Sequence, residues 1–485
     1  MVNGGANDTE IAESRRRVHN QYGQEMASKA SDAFCLAFGR QTPQGFAAFE
    51  GGIAEAVPTR PIIVECGSQQ ERMDRVRNAA QAVKSAPAWN NLQASLEEVQ
   101  KPELRLQSGR ILRQAAIESV RDEFYRAAGP ISAEVERSAR NLPGPGPETV
   151  VSPAAPPSAT EICWLNRSIL AQVDPRSLAE VVADQTVARV DLPRLLEAEV
   201  RTSAGTVGAP QFREAMGRSG NNVIIAIIDS EVTLRHPALQ DRVIHRQNYT
   251  QEPWGVAGSH ATAVAGVAAA NGDGLVGMAP EATIYNYKVL ATNRFLNSTD
   301  FSGALAIQNA LEDGAHIANC SWGTGPAEDG TSREARAVDT AWGLGLAIVK
   351  SAGNAGSGAR TLTSPADAAG IIVVGGTDQL GTAVQDYSSR GPTPSNENRP
   401  HLVAPGGTVN VGIESCLVGG GFGDCGHGTS YAAPHVSGLL ALILEGEPDL
   451  TPVKQRDKLL SVCKVLDGYD VNAQGAGLVS LTGLL

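Results

Sequence analysis

A continuous apolar run, Val223-Ile-Ile-Ala-Ile-Ile228, lies near the middle of the chain and is rich in β-branched residues. A run without polar alternation is typical of a strand that is buried on both faces of a sheet. Downstream of it, further strand-length apolar runs alternate with segments of helical period. Strands are predicted over residues 283–289, 316–322, 346–350 and 371–374, and helices over residues 261–270, 300–313, 333–343 and 432–445. This alternation predicts an α/β fold with a doubly wound, mostly parallel sheet and helices on both faces.

The pattern before residue 200 is different and predicts a separate, smaller domain. Strands are predicted over residues 60–66, 161–173 and 187–192, and helices over residues 69–100, 102–140 and 175–184. A segment rich in proline and glycine, residues 141–157, indicates an extended linker within this layout. We therefore expect a small α+β domain over residues 57–200, with a helical insertion at about 101–158. Residues 1–56 would form an N-terminal extension of unknown role, and residues 201–485 the larger domain.

Polar side chains lie at the ends of three predicted strands of the larger domain. Asp229 directly follows the first apolar run, Ser321 lies near the end of a second strand, and Asn354 follows a third after a Ser-Ala-Gly turn. In open parallel sheets, ligands bind at the carboxyl ends of the strands. A partly buried carboxylate at such an end needs a hydrogen-bonding partner, and a histidine N–H is a suitable one. These residues are therefore candidates for a common site.

His260 begins a predicted helix of unusually small residues, His260-Ala-Thr-Ala-Val-Ala-Gly266. Small side chains allow such a helix to lie close against the sheet. The positive end of the helix dipole favours the neutral imidazole, which is the form that a general base requires. The alternative interpretation is that His260 only caps the helix.

Ser430 is preceded by glycines and followed by a helix with an early proline, Pro434. This arrangement places a hydroxyl at a helix N-terminus, beside backbone N–H groups that have no intrahelical partner. Such donors can stabilise the oxyanion of a tetrahedral intermediate. Taken alone, however, the segment is more commonly an ordinary helix cap after a glycine turn.

Taken in order, these segments resemble the motifs of the subtilisin-like serine peptidases, the subtilases. The resemblance covers about residues 207–485 and rests on several motifs rather than one. The segments that carry it are Val223-Ile-Ile-Ala-Ile-Ile-Asp-Ser230, His260-Ala-Thr-Ala-Val-Ala-Gly266, Asn319-Cys-Ser-Trp-Gly323, Ser351-Ala-Gly-Asn354 and Gly428-Thr-Ser430, with residues 236–239, 277–280, 287–290, 387–392, 404–406 and 432–436. The chain order aspartate, histidine, serine is also that of subtilisin.

The resemblance implies a catalytic role for four residues. Ser430 would attack the scissile carbonyl, and His260 would take its proton and later protonate the leaving amine. Asp229 would orient His260 and stabilise its charged form. Asn354, together with the backbone N–H of Ser430, would bind the oxyanion. The implied activity is that of a serine endopeptidase working through an acyl-enzyme intermediate.

The resemblance also implies that Ser321, Trp322 and Gly323 bind the substrate. They would form a strand that pairs with an extended peptide backbone by β-addition, with Trp322 and Gly323 bordering the main specificity pocket. Backbone pairing favours cleavage within unfolded or loop segments, so the expected partner is a protein or peptide substrate.

At three positions the chain departs from the subtilase motifs. Glu231 and Ala261 stand where glycine is usual, and Tyr431 replaces the usual methionine after the nucleophile. None of these changes removes a catalytic group. Glu231 is expected to alter the turn after Asp229 or to touch the substrate, and the three departures together favour narrow specificity or low activity.

The smaller domain resembles, in its second half, an inhibitor-type subtilase prodomain with a ferredoxin-like fold. The matching segments are Glu161-Ile-Cys-Trp-Leu-Asn-Arg-Ser-Ile-Leu-Ala171, Leu178-Ala-Glu-Val-Val182 and Val187-Ala-Arg-Val-Asp191, with the strand that ends at Cys66 as the first strand. Such domains assist folding and block the groove with their C-terminal tail, here about residues 192–206. The resemblance thus implies intramolecular inhibition by the N-terminal region, followed by self-processing. A separate partner-binding domain is the alternative.

Composition narrows the remaining functional classes. The net charge is −12, from 40 basic and 52 acidic residues, and neither half of the chain is basic, which argues against a nucleic-acid-binding surface. No apolar run follows Arg15-Arg16-Arg17, so no signal peptide is predicted. No stretch approaches the ~18 apolar residues of a membrane span. We therefore expect a cytoplasmic protein without nucleic-acid or membrane partners.

The seven cysteines are scattered, and most are expected to be reduced. Cys416 and Cys425 flank a glycine-rich loop and could pair in an oxidising compartment. His427 and His435, on either side of Ser430, are interpreted as rim and packing residues. No cofactor or metal ligand set is predicted, although calcium, which many subtilases bind through loop carboxylates, remains open.

Two alternatives to a peptide hydrolase remain. A peptide ligase or leader-peptide processing enzyme would use the same residues, and a catalytically silent module would bind peptides in the same groove. Products that carry an added amine would indicate a ligase. Peptide binding that survives Ser430→Ala, without any cleavage, would indicate the silent module.

Overall fold

The structure is a computed structural model of the 485-residue chain. It describes residues 206–293 and 296–485, the backbone of five short strands before them, and Arg16 and Arg121 as helical residues. Apart from those two arginines, the predicted extension over residues 1–56 and the helices predicted over 69–100, 102–140 and 175–184 lie outside the described residues. Contacts divide the chain into two compact units, residues 1–73 with 121–193 and residues 74–120 with 194–485.

The first unit contains a four-stranded antiparallel sheet. Its strands, in chain order, are β1 (Arg60–Cys66), β2 (Thr160–Cys163), β3 (Ser168–Val173) and β4 (Val187–Asp191). They lie in the order β2-β3-β1-β4, so β3 and β1 are the central pair. The single strand predicted over residues 161–173 is wrong, because β2 and β3 are two strands paired antiparallel. The apolar pattern spans both of them, and the turn-favouring Asn166 lies between them in the sequence.

The second unit is built around a nine-stranded, mostly parallel sheet, as the alternating pattern predicts. The strands of this unit, in chain order, are β5 (Glu197–Ala198), β6 (Ile224–Asp229), β7 (Val243–Asn248), β8 (Asn271–Gly272), β9 (Leu275–Val276), β10 (Thr283–Lys288), β11 (Ile317–Cys320), β12 (Trp322–Gly323), β13 (Ala347–Ser351), β14 (Ile372–Thr377), β15 (Leu402–Pro405), β16 (Glu414–Cys416), β17 (Phe422–Asp424), β18 (Cys463–Lys464) and β19 (Leu478–Val479). The main sheet has the order β18-β19-β15-β14-β13-β11-β6-β10-β7, and only the β18–β19 pair is antiparallel. Three separate two-stranded pairs are β5 with β12, β8 with β9, and β16 with β17.

Helices cover the main sheet. In chain order they are α1 (Ala209–Met216), α2 (Ser259–Ala269), α3 (Asp300–Glu312), α4 (Arg333–Gly343), α5 (Thr429–Gly446), α6 (Pro452–Ser461) and α7 (Val471–Gln474), followed by a 3-10 turn at Leu481–Leu484. Helices α2 and α5 pack against each other, and α3 packs against α4. Every residue of β6 is buried, so both faces of this strand are covered.

Two features of the fold bring the predicted site residues to one place. Strands β6, β10, β11 and β13 are parallel neighbours, so their carboxyl ends lie at the same edge of the sheet. Helix α2 is buried from His260 to Ala269, and its small residues allow close packing. A Cβ atom added at Gly266 would lie only 2.4 Å from the hydroxyl oxygen of Ser415, which shows how tightly α2 approaches β16.

Candidate active site

Asp229 and His260 form a buried, hydrogen-bonded pair. Asp229 is the last residue of β6, and His260 is the second residue of α2, which begins after Gly258. The Nδ1 atom of His260 lies 2.8 Å from Oδ1 of Asp229. Asp229 is fully buried and His260 is 7% exposed, so bulk water is largely excluded from the pair. The fold thus joins the strand-end carboxylate to the helix-start histidine.

The hydrogen bonds of Asp229 determine which nitrogen of the imidazole can act as a base. A carboxylate only accepts, so in neutral His260 the proton is on Nδ1 and the lone pair is on Nε2. The backbone N–H of Ser230 also donates to Oδ1 of Asp229, at 2.6 Å. Nε2 is buried and has no hydrogen-bond partner among the described residues. It can therefore accept a proton from a nearby nucleophile.

Ser430 lies in the first turn of α5, which begins at Thr429 and not at the predicted residue 432. Gly428, just before this helix, has a φ of 151°, a conformation that favours glycine. The hydroxyl of Ser430 donates to the carbonyl oxygen of Ser321 at 3.3 Å. In return, the hydroxyl of Ser321 donates to the carbonyl oxygen of Ser430 at 2.7 Å. The helix start and the segment after β11 are therefore held together by two reciprocal bonds.

Tyr431 brings the imidazole of His260 to the start of α5. The two ring centroids are 5.4 Å apart, and the planes meet edge to face at 66°. Tyr431 is buried, so the residue that replaces the usual methionine is accommodated as a packing partner of the base. Because the hydroxyl of Ser430 is bonded to Ser321, it is not bonded to Nε2 of His260 in this structure. Nucleophile–base contacts are often loose before substrate binds, and rotation of the serine side chain can change its partner.

Asn354 follows β13, and Thr429 orients its side-chain amide. Oδ1 of Asn354 accepts from the backbone N–H of Thr429 at 2.9 Å and from its hydroxyl at 3.0 Å. Because the oxygen is occupied, Nδ2 is the part of the amide that is left to donate, and it has no hydrogen bond among the described residues. The backbone N–H of Ser430, in the first turn of α5, likewise has no intrahelical acceptor. Two kinds of donor therefore lie beside Ser430.

The strand predicted over residues 316–322 is in fact interrupted at Ser321. The main-sheet strand β11 ends at Cys320, and Trp322 and Gly323 form the separate strand β12. Ser321 is tied to Ser430 and also accepts from the amide of Asn319 at 2.9 Å. These bonds lead the chain out of the main sheet and towards α5. Strand β12 pairs antiparallel with β5, with Trp322 opposite Ala198 and Gly323 opposite Glu197.

The indole of Trp322 is turned away from solvent. It is fully buried, and a Cβ atom added at Gly303 of α3 would lie 2.9 Å from the ring. The ring therefore packs on α3 and is not exposed to a substrate. Along its edge, β12 presents backbone N–H and C=O groups, which are the groups that β-addition of a substrate requires.

The supporting roles of Ser437 and Asn319 in this arrangement were not predicted from the sequence. The hydroxyl of Ser437 donates to Oδ1 of Asn319 at 2.9 Å, and the amide of Asn319 continues the chain of bonds to Ser321. All three residues are fully buried. Ser437 lies seven residues after Ser430, which is two helical turns and therefore the same face of α5. The seven-residue spacing from Ser430 is the sequence signal that could have identified Ser437.

The two remaining departures from the subtilase motifs are both buried. Glu231 is 3% exposed, so it has almost no surface to offer a substrate. Its two carboxylate oxygens instead accept from the backbone N–H of Gly255, both at 2.9 Å. Ala261 donates its backbone N–H to the hydroxyl of Ser230 at 3.3 Å. Both residues therefore hold the backbone around the Asp229–His260 pair.

The other candidate groups, two histidines and two cysteines, lie in surroundings that fit a structural role. His435 is fully buried, its Nδ1 lies 2.7 Å from the carbonyl oxygen of Tyr431, and burial lowers its pKa to about 4. The ring centroid of His427 lies 5.1 Å from that of Tyr387. Cys416 and Cys425 are free thiols, and burial raises their pKa values to about 12 and about 11. Such thiols are poor nucleophiles at neutral pH.

Among the described residues, no group of three or more His, Cys, Asp or Glu side chains is arranged to hold a metal ion. Within the same residues, none of the helices combines the length and the apolar character needed to span a membrane.

The chain is similar to known proteins of one family. The profile of the subtilase family matches residues 220–477. Subtilisin E of Bacillus subtilis (strain 168) is 33% identical over 309 residues, which cover 61% of this chain and 75% of that protein. Serine protease AprX of the same strain is 29% identical over 350 residues, which cover 64% of this chain and 77% of that protein.

Among solved structures, the fold is similar to that of fervidolysin from Fervidobacterium pennivorans, a keratinolytic enzyme related to subtilisin. The TM-score is 0.57 at 20% identity, and the match covers 89% of this chain and 62% of that one. At this identity the likeness concerns the fold, whereas the family profile covers more than half of the sequence. The chain therefore belongs to the subtilase family, the subtilisin-like serine peptidases.

Proposed function

We propose that the chain is a serine endopeptidase that hydrolyses peptide bonds through Asp229, His260 and Ser430. Membership of the subtilase family supports a serine peptidase. The observation that carries the proposal for these residues is the buried 2.8 Å bond between Asp229 and His260, which leaves Nε2 as the acceptor beside the start of α5.

In the first step, the Ser430 side chain rotates from the carbonyl of Ser321 towards Nε2 of His260. Nε2 takes the hydroxyl proton while the oxygen attacks the substrate carbonyl, giving a tetrahedral intermediate. The imidazolium that forms is stabilised by the Asp229 carboxylate, which remains charged. His260 then gives the proton to the leaving amine, and an acyl-enzyme on Ser430 results. Water, activated by the same Nε2, releases the acid and restores the serine.

The oxyanion of each tetrahedral intermediate would accept from Nδ2 of Asn354 and from the backbone N–H of Ser430. Thr429 fixes Oδ1 of Asn354 in advance, so no reorientation of the amide is needed during the reaction. Preorganised donors of this kind are a major part of the stabilisation of a transition state.

The substrate backbone would pair with β12, whose residues Trp322 and Gly323 follow Ser321 directly. The pairing between β12 and β5 supports this role, because β5 is an extended segment of the chain that uses the same antiparallel edge. An edge that recognises backbone accepts many sequences, which suits an endopeptidase acting on extended segments.

The N-terminal region is proposed to inhibit this site before it is removed. Strand β5 lies within the predicted tail at about 192–206 and occupies the edge that a substrate would need. The order β2-β3-β1-β4, antiparallel throughout, is the order of a ferredoxin-like domain and supports a prodomain over about residues 57–200. Residues 201–485 would then be the catalytic domain, and residues 1–56 an extension.

The proposal is tested by incubating the full-length chain with an unfolded protein substrate, beside the Ser430→Ala variant. The products are examined by mass spectrometry. We expect internal cleavage, with free carboxylates at the new C-termini, by the wild type alone. Products carrying an added amine would favour the ligase, and binding without cleavage by either protein would favour the silent module.

A further inference from the structure

A cluster of three charged side chains is buried beside the Asp229–His260 pair. Lys288 is fully buried, and its Nζ atom lies 3.1 Å from Oε2 of Glu231 and 3.0 Å from Oε2 of Glu252. Glu231 is 3% and Glu252 is 6% exposed. Nζ also donates to the carbonyl oxygen of Pro253 at 2.9 Å. Charges are buried in this way only when they are paired and hydrogen-bonded, so the cluster fixes the backbone around it.

Glu231 connects the two segments that carry the catalytic pair. It is the second residue after Asp229, and its carboxylate accepts from the backbone N–H of Gly255. Its backbone carbonyl also accepts from the N–H of Gly258 at 2.8 Å, and Gly258 is the residue before the helix of His260. A Cβ atom added at Gly258 would lie 2.0 Å from the hydroxyl oxygen of Ser230, so the helix start and the turn after Asp229 are in close contact.

Lys288 is itself positioned by the strand of Asp229. It is the last residue of β10 and lies opposite Asp229 in the parallel register of β10 and β6. Glu252 extends the cluster to the next loop, because its carboxylate accepts from the backbone N–H and the hydroxyl of Thr292. Burial alone would raise the pKa of Glu252, but the bonds from Thr292 and Lys288 outweigh it and hold the pKa below its usual value.

We propose that Glu231 is a positioning residue for the catalytic pair. With Lys288 as its counter-charge, it fastens the loop that ends at Gly258, and so sets the distance between His260 and Asp229. The effect of Glu231 on catalysis rests on the proposed function, but its positioning of His260 can be measured without any activity.

Glu231→Gln is the informative variant. It removes one negative charge and leaves Lys288 paired with Glu252, so no buried ion is left without a counter-charge. The matched control is Glu445→Gln. The carboxylate of Glu445 also holds backbone N–H groups, those of Ser219 and Gly220 at 2.7 Å each, but near the far end of α5 from Ser430.

The first measurement is the pH dependence of the rate at which the full-length protein reacts with a fluorophosphonate. We expect Glu231→Gln to lower the plateau rate about tenfold or more and to move the acid limb to lower pH. The limb moves because a well-aligned Asp229 stabilises the imidazolium, and the variant loses that alignment. Glu445→Gln should leave the profile unchanged.

The second measurement is the NMR titration of His260 in the Ser430→Ala background, assigned with His260→Gln. We expect a lower pKa for His260 in Glu231→Gln than in the Glu445→Gln control. Should Glu231→Gln not fold, Glu231→Asp takes its place, since it keeps the charge but shortens the reach to Gly255. An unchanged titration and profile in the folded variant would overturn the positioning role. If the wild type never reacts with the fluorophosphonate, but the His260 titration still differs between Glu231→Gln and Glu445→Gln, the proposed function is overturned and the positioning role stands.

Discussion

Thr429 donates both its backbone N–H and its hydroxyl to Oδ1 of Asn354, at 2.9 and 3.0 Å. The residue before the nucleophile thus orients the amide that is expected to bind the oxyanion. Because both bonds use Oδ1, they leave Nδ2 as the end of the Asn354 amide that can face the reacting carbonyl. The consequences can be tested by removing either partner.

Replacing Asn354 with Ala should lower kcat by about 10²–10³ and change KM little, the magnitude known for such a donor in subtilisin itself. Thr429→Val retains the shape of the side chain and removes the hydroxyl, which makes one of the two orienting bonds and also accepts from the backbone N–H of Gly353 at 3.2 Å. We expect a smaller loss, about 3- to 10-fold in kcat, as for one hydrogen bond. Steady-state kinetics on one peptide substrate check both, and equal losses in the two variants would contradict the orienting role of Thr429.

Gly406 allows the backbone to pack closely behind the nucleophile. A Cβ atom there would lie 2.5 Å from the hydroxyl oxygen of Tyr387 and 2.8 Å from the carbonyl oxygen of Gly428. We therefore expect Gly406→Ala to lower the free energy of unfolding by about 1–3 kcal/mol and to reduce activity, since Gly428 leads into Ser430. Urea unfolding measures the first effect.

Gly419 is the control for this substitution, because a Cβ atom there meets nothing within 4 Å. Gly419→Ala should change the free energy of unfolding by less than about 0.5 kcal/mol. Similar losses in the two variants would show that glycine-specific packing at Gly406 is not the cause.

His435 should make stability depend on pH. Burial lowers its pKa from 6.5 to about 4 in the folded chain, so the unfolded chain binds a proton more readily. Its contribution is full above pH 6.5 and is lost as the pH falls towards 4, by up to about 3 kcal/mol. His435→Gln should flatten this decline in urea unfolding curves measured at several pH values. Part of the decline will remain, because burial also lowers the pKa of His401. If His435→Gln leaves the pH dependence of the free energy of unfolding unaltered, His435 is not its source.

The pairing of β5 with β12 predicts a position for self-cleavage. Ala198 lies opposite Trp322, so one further step of the same register would bring position 199 opposite Ser321, whose carbonyl is 3.3 Å from the Ser430 hydroxyl oxygen. We expect the bond between Glu199 and Val200 to be cut by the wild type and not by Ser430→Ala. Intact-mass spectrometry locates the cut, and cleavage of both proteins at the same bond would point to another protease.

The sequence predicted the parts of the fold that depend on local pattern. The β-branched run before Asp229 became the fully buried strand β6, and the small-residue helix after His260 became α2. Strand β7 was missed because it lies at the edge of the sheet, where its residues Val243–Asn248 are exposed or only partly buried and are mostly polar.

The residues that support the site depend on contacts between distant segments. Glu231 and Lys288 are 57 residues apart and meet only because β6 and β10 are parallel neighbours. The interruption at Ser321 likewise follows from its bonds to Ser430, which is 109 residues away. Neither contact leaves a periodic signal in the sequence. The candidate catalytic groups could therefore be predicted from motifs, but the hydrogen bonds and ion pairs that position them could not.

The most direct test of the account is the site at which a small serine-directed reagent, diisopropyl fluorophosphate, reacts with the full-length chain. This reagent does not need the backbone edge of β12. We predict that fluoride is displaced at a single residue, Ser430, whose diisopropylphosphoryl adduct is found by peptide mass spectrometry, with labelling abolished in Ser430→Ala and reduced by orders of magnitude in His260→Ala. Folded wild-type protein that stays unlabelled, or that is labelled at another serine while Ser430 remains unmodified, would contradict the account.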